Sequence, residues 1–171
     1  MTIGRVALSL FASLLAGSGV SAQLPAPEEA PVAFCAVEAT AEGEATAQGE
    51  FSVAMTPLES AAAGIDSVAL TKSYSGDLVG KASGQMLAVR TPVDGSAGYV
   101  AMELVTGTLD GRQGSFALQH SGLLAAGSPA LTISVVPDSG TGALTGLRGS
   151  LKIDIREGKH YYCLRYTLPE G

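Results

Sequence analysis

Gly107-Thr108-Leu109-Asp110-Gly111 is the middle of three copies of one pattern, Gly-x-Leu-x-Gly, and the reading of the fold starts from it. The other copies are Gly76-Asp77-Leu78-Val79-Gly80 and Gly142-Ala143-Leu144-Thr145-Gly146. Each copy is preceded by Ser or Thr, and the copies begin 31 and 35 residues apart. Short runs of alternating apolar and polar residues flank them. The pattern therefore predicts bends recurring through one antiparallel sheet, with glycine permitting a sharp bend or bulge and the leucine filling the core. A phosphate cradle is excluded, because it needs a following Lys-Ser/Thr and a helix N-terminus to present N–H groups.

Working outward, eight short strands are expected, at about 49–55, 66–74, 84–90, 98–106, 115–119, 131–136, 150–155 and 160–168. Between them lie turn-forming segments such as Thr91-Pro92-Val93-Asp94-Gly95-Ser96 and Pro137-Asp138-Ser139-Gly140. Residues 59–64 are expected to form one helical turn. Charged residues are 15% of the chain, there are 22 glycines and no stretch has helical period, all of which points to an all-β chain. Eight strands with hairpin-length links predict an antiparallel barrel or sandwich. Asp138-Ser139-Gly140 matches an aspartic-protease signature, but one copy would need a symmetric dimer, and a turn capped by Asp138 or Ser139 explains it better.

The final hairpin sets the frame for the two cysteines. If Glu157-Gly158 is a two-residue turn, Arg156 pairs with Lys159, Ile155 with His160, Ile153 with Tyr162 and Leu151 with Leu164. Tyr162, Leu164 and Tyr166 then share the inner face, while Cys163 points outward. Cys35 and Cys163 are the only cysteines and are expected to form a structural disulfide, stapling an N-terminal extension to the outside of the last strand. A redox-active pair is disfavoured, because such cysteines sit close in sequence.

The N-terminus has the form of a secretory signal: Arg5, an apolar stretch from Val6 to Val20, then Val20-Ser21-Ala22 before Gln23. Cleavage after Ala22 is expected, leaving an extension at 23–48 and a barrel domain at 49–171, in the periplasm or medium. Gly17, Ser18 and Gly19 interrupt the stretch, which argues against a membrane anchor. Loss of Arg5 takes the formal charge of −6 to −7, and the remaining Lys and Arg are scattered, so nucleic acid and anionic membranes are poor partners.

Further motifs carry a resemblance. Gly98-Tyr99-Val100-Ala101 with Glu103, Gly111-Arg112-x-Gly114-Ser115-Phe116-x-Leu118-Gln119-His120-x-Gly122, Val136-Pro137-x-Ser139-Gly140-Thr141 and Gly158-x-His160-x-Tyr162 accompany the three repeats in consistent order. Over about 49–168 the chain resembles the bacterial proteins grouped as domain of unknown function 3224. That resemblance implies a closed eight-stranded antiparallel barrel similar to plant allene oxide cyclase, and it carries no established activity. The signal segment, the extension and the two cysteines depart from many relatives.

The candidate chemistry centres on Glu103 and His120. If the loop between their strands has an even residue count, both lie on the face of Tyr99, Val105, Phe116 and Leu118, which is apolar enough to be the barrel interior. A carboxylate and an imidazole there would serve as acid and base. The alternative is that each is hydrogen-bonded at a barrel mouth or faces solvent. The leading expectation is a non-catalytic barrel that binds a small apolar molecule, with Tyr99, Phe116 and His160 as contacts, or that has a structural or envelope role. Against it stands an isomerase or cyclase with Glu103 and His120 as the acid/base pair and Tyr162 or Tyr99 orienting substrate. A homo-oligomeric scaffold is a third expectation. No cofactor is expected. Zinc is disfavoured because His120, His160 and a carboxylate lack ligand spacing, and Ser-His-Asp catalysis lacks a nucleophile-elbow context.

Overall fold

The structure, a computed structural model, describes residues 34–35 and 43–169. The expected signal segment, residues 1–22, and most of the extension lie outside the described residues. Eight strands follow one another: β1 (Ala45–Leu58), β2 (Asp66–Gly76), β3 (Leu78–Arg90), β4 (Ala97–Leu109), β5 (Arg112–Ala125), β6 (Ser128–Val135), β7 (Arg148–Arg156) and β8 (Lys159–Thr167). Each pairs antiparallel with the next, and β8 returns to β1, so the sheet closes into a barrel in chain order. Closure pairs the strand edges all round except along the β6–β7 seam, where a single residue pair joins the two strands.

Strand number and order are as expected, but all strands except the last run longer. The third was expected from 84 and begins at Leu78. Gly80, Ala82 and Gly84 have low strand propensity alone, yet β2 and β4 pair with them on both sides, and tertiary pairing overrides propensity. The helical turn expected at 59–64 is absent. Those residues are all exposed, and six residues without packing do not nucleate a helix. The one helical turn among the described residues is a 3₁₀ turn at Gly142–Leu144.

The three repeats are not bends within strands. The first spans the β2–β3 connection, the second the β4–β5 connection, and the third supplies the 3₁₀ turn in the β6–β7 link, all at one end of the barrel. Their leucines, Leu78, Leu109 and Leu144, are fully buried and plug that end. Backbone bonds lace it together: Asp77 N–H donates to the Gln48 carbonyl at 3.1 Å and Asp110 N–H to the Asp77 carbonyl at 3.0 Å. The Tyr162 hydroxyl accepts from Leu78 N–H at 2.8 Å and donates to the Ser75 carbonyl at 3.2 Å. This half holds the packed core, with Val105, Phe116, Leu118, Leu147, Leu151 and Leu164 among its members.

Asp110-Gly111 and Glu157-Gly158 are two-residue turns with positive φ at both positions, 45° and 79° in the first and 50° and 78° in the second, the geometry that matches strand twist. The β7–β8 pairing is the expected one throughout, from Arg156 opposite Lys159 to Leu151 opposite Leu164. Cys163 accordingly faces outward, where it is bonded to Cys35 with Cα atoms 5.5 Å apart. The bridge covers it, leaving Cys163 only 2% exposed on a face otherwise open to water. Asp138 and Ser139 form the expected turn, with Ser139 Oγ accepting from Ala117 N–H at 3.0 Å and donating to the Val136 carbonyl at 2.7 Å. On the outside of β3 and β4, Leu87, Val89, Val100, Met102 and Leu104 form an exposed apolar stripe.

Candidate functional site

The Asp110-Gly111 turn holds two residues, so β4 and β5 pair Leu109 with Arg112, Val105 with Phe116, Glu103 with Leu118 and Ala101 with His120. The even-loop condition is met, and Glu103 and His120 both point into the barrel. On β2 the alternation Val68, Leu70, Lys72, Tyr74 also points inward, and all four are buried. Gly84 stands opposite Glu103 on β3, where a Cβ would lie 2.8 Å from the Glu103 Cβ. A glycine there lets the β3 backbone lie close against the Met102 carbonyl and the Glu103 Cα.

These side chains converge on one oxygen. Glu103 Oε1 accepts from Lys72 Nζ at 3.0 Å and from the Tyr74 hydroxyl at 3.1 Å, and it meets His120 Nε2 at 3.1 Å. The Glu103 side chain is 0% exposed and the Lys72 and His120 side chains are each 6% exposed. Glu103 Oε2 is buried without a hydrogen-bond partner among the described residues. Lys72 Nζ also donates to the Tyr74 hydroxyl at 3.4 Å and stands 4.8 Å from the centroid of the Phe51 ring.

The electrostatics follow from burial and pairing. Burial favours the protonated form of Glu103, but the His120 hydrogen bond and the Lys72 and His120 charges outweigh it and hold the carboxyl below its ordinary value. Burial lowers the Lys72 ammonium from its usual range, with Glu103 opposing the fall. Tyr74 is pushed well above the ordinary phenol range, by burial first and then by the Glu103 charge. A carboxylate acceptor requires the hydrogen of the His120–Glu103 bond to sit on Nε2.

Above this cluster lies a cavity of about 440 Å³, reaching toward the end opposite the leucine plug. Lys72 and His120 form part of its floor, and Val53, Met55, Leu70, Met86, Leu131 and Ile153 are among its walls. Arg90 and Asp154 mark the polar rim, each in an ion pair, Arg90 with Asp66 at 3.3 Å and Asp154 with Arg156 at 2.7 Å. Beside the cavity the barrel is thinly closed, since β6 and β7 pair only through Ser134 and Ser150. Phe34, next to the disulfide, lines a shallow recess there with Leu131, Leu151 and Ile153.

Of the residues singled out in the sequence, Glu103 and His120 come together, and Tyr99 and His160 line the cavity. Gly122 makes room for the Tyr99 ring, whose Cζ would be 2.7 Å from a Cβ at that position. His160 stacks beside Phe51 with centroids 5.1 Å apart. Phe116 and Tyr162 also point inward, but they sit in the packed half, 1% and 0% exposed, and do not line the cavity. Tyr162 is committed to backbone groups at the plug, so its hydroxyl is structural; burial, opposed by the Leu78 hydrogen bond, pushes its pKa to about 12. Sequence reasoning missed Lys72 and Tyr74. Their signal was present as Val68, Leu70, Lys72 and Tyr74 at alternate positions, a lysine in an apolar register.

Comparison with known proteins agrees with this architecture. Residues 47–166 match the family model described as Protein of unknown function (DUF3224). No curated protein matches the chain. Among solved structures, it is similar to the crystal structure of a protein with unknown function from the DUF3224 family of Shewanella oneidensis MR-1. The two are 42% identical with a TM-score of 0.71, over 75% of this chain and 99% of the other. With a family match across most of its length and a relative of this identity, the chain belongs to the DUF3224 family.

Proposed function

We propose that this protein works outside the cytoplasm as a lumenal binder of a small, mostly apolar molecule. The observation that carries the reading is the cavity of about 440 Å³, with apolar walls and a few convergent polar groups at its floor. Small-molecule sites have this size and composition, roughly 300–1,000 Å³ with a handful of placed polar groups. The Cys35–Cys163 bridge supports an oxidising compartment, as the Val20-Ser21-Ala22 segment does.

The test is titration of the purified protein with an apolar fluorophore such as 1-anilinonaphthalene-8-sulfonate, alongside Ala101→Phe, which fills the cavity from β4. Binding that weakens at least tenfold in the variant, with an unchanged circular dichroism spectrum, supports the lumen as the site. Equal binding by both proteins refutes it.

One observation favours an isomerase or cyclase as the second reading. His120 Nε2 lies 3.1 Å from Glu103 Oε1 at the cavity floor, so the carboxylate orients an imidazole placed to act with it as an acid/base pair. The exposed stripe of Val100, Met102 and Leu104 supports association with a second copy. Light scattering of wild type against Met102→Glu tests it, and a monomer in both refutes it.

A further inference from the structure

Lys72 is the one lysine of four that the fold takes inside. Lys81, Lys152 and Lys159 are exposed, whereas Lys72 is 7% exposed and its ammonium ends at the floor of the apolar cavity. A buried ion pair made only for stability has no need of an accessible pocket over the amine. Here Lys72 lines the cavity, and the neighbours of its amine are groups that move protons. Glu103 Oε1 lies 3.0 Å from Nζ and bridges to His120 Nε2 at 3.1 Å, and the Tyr74 hydroxyl is 3.4 Å from Nζ. Walls such as Leu70, Met86 and Ile153 are apolar and match an apolar chain.

We propose that the ligand class is an apolar aldehyde or ketone, and that Lys72 captures it as an imine. The inference deepens the lumenal-binding reading and rests on it. The ammonium first gives a proton to Glu103 Oε1, 3.0 Å away. The free Nζ pair then attacks the carbonyl carbon, forming a C–N bond as the C=O π pair moves to oxygen. With one proton from nitrogen and the other returned by Glu103, the oxygen leaves as water, and the protonated imine Nζ=C remains beside the Glu103 carboxylate. Amine and carbonyl give imine and water, with no change of oxidation state. Desolvation, which lowers the Lys72 ammonium, favours the free amine this step needs.

The experiment treats the intact protein with hexanal and sodium cyanoborohydride near neutral pH and maps the reduced adduct by peptide mass spectrometry. The expected result is one adduct at Lys72, formed roughly tenfold faster than at Lys81, Lys152 or Lys159, and suppressed by excess decanol as a non-carbonyl competitor. Lys72→Arg keeps the positive charge and should lose that adduct alone. The competitor arm on wild type gives the same information if this variant does not fold. Displacement of the fluorophore by hexanal is followed in parallel. Displacement without labelling at Lys72, or labelling no faster there than at the exposed lysines, overturns the imine and leaves lumenal binding standing. A fluorophore that never binds removes both.

Discussion

Replacing Lys72 with Met tests the ion pair at the cavity floor. The substitution keeps the apolar stem, removes the ammonium 3.0 Å from Glu103 Oε1, and leaves a carboxylate of 0% side-chain exposure held by Tyr74 and His120 alone. Removing one partner of a buried pair costs about 3–5 kcal/mol, because the other charge stays desolvated. His120 remains to offset part of that, so the lower value, about 3 kcal/mol, is expected here. For a chain of this size that is a fall in Tm of about 6–12 °C. The double substitution Lys72→Met with Glu103→Leu removes both charges and costs clearly less than the two singles summed, with a coupling of about 2 kcal/mol. Urea unfolding followed by circular dichroism measures all four proteins, since the chain has no tryptophan. If Lys72→Met costs less than about 1 kcal/mol, or the two singles add within about 0.5 kcal/mol, the pair is not the buried, mutually dependent unit described.

Glu103 is held below its ordinary value, so the unfolded chain binds its proton first as pH falls. Its contribution is full above pH 4.5 and drains away as pH drops through the lower folded value, and Glu103→Gln should flatten that acid limb of stability against pH. Gly107→Ala would set a Cβ 2.7 Å from the Gly80 Cα, between paired backbones, and should cost about 3 kcal/mol. Gly158→Ala meets open space and only the strain of φ +78°, about 1 kcal/mol, so comparable losses in both would discredit the close-approach account. Replacing Cys35 and Cys163 by Ser, which frees a bridge spanning 128 residues, should cost about 3 kcal/mol. It should also speed amide exchange around the thin β6–β7 seam, and unchanged exchange there would mean that the bridge does not support it.

Much of the barrel was legible in the chain. Period-two alternation marked eight strands in order, and Glu157-Gly158 determined the facing of every residue in the last hairpin. The same alternation made Glu103 and His120 cofacial once their loop was even. Strand ends were less legible, because stretches such as Gly80-Lys81-Ala82 form strand only when both neighbours pair with them. Lys72 escaped because a lysine among apolar alternates scores as polar by composition, although its parity is inward.

Parity also explains the mixed outcome at Phe116 and Tyr162. Both face inward as the alternation requires, but alternation says nothing about height along the barrel axis. The sequence by itself determined which side chains enter the lumen, since that follows from a local period of two. Only the closed structure decided which of them meet, because the stagger between strands is set by closing the whole sheet. That stagger sends Phe116 and Tyr162 down to the leucine plug and brings Lys72, Tyr74, Glu103 and His120 to one level beneath the cavity.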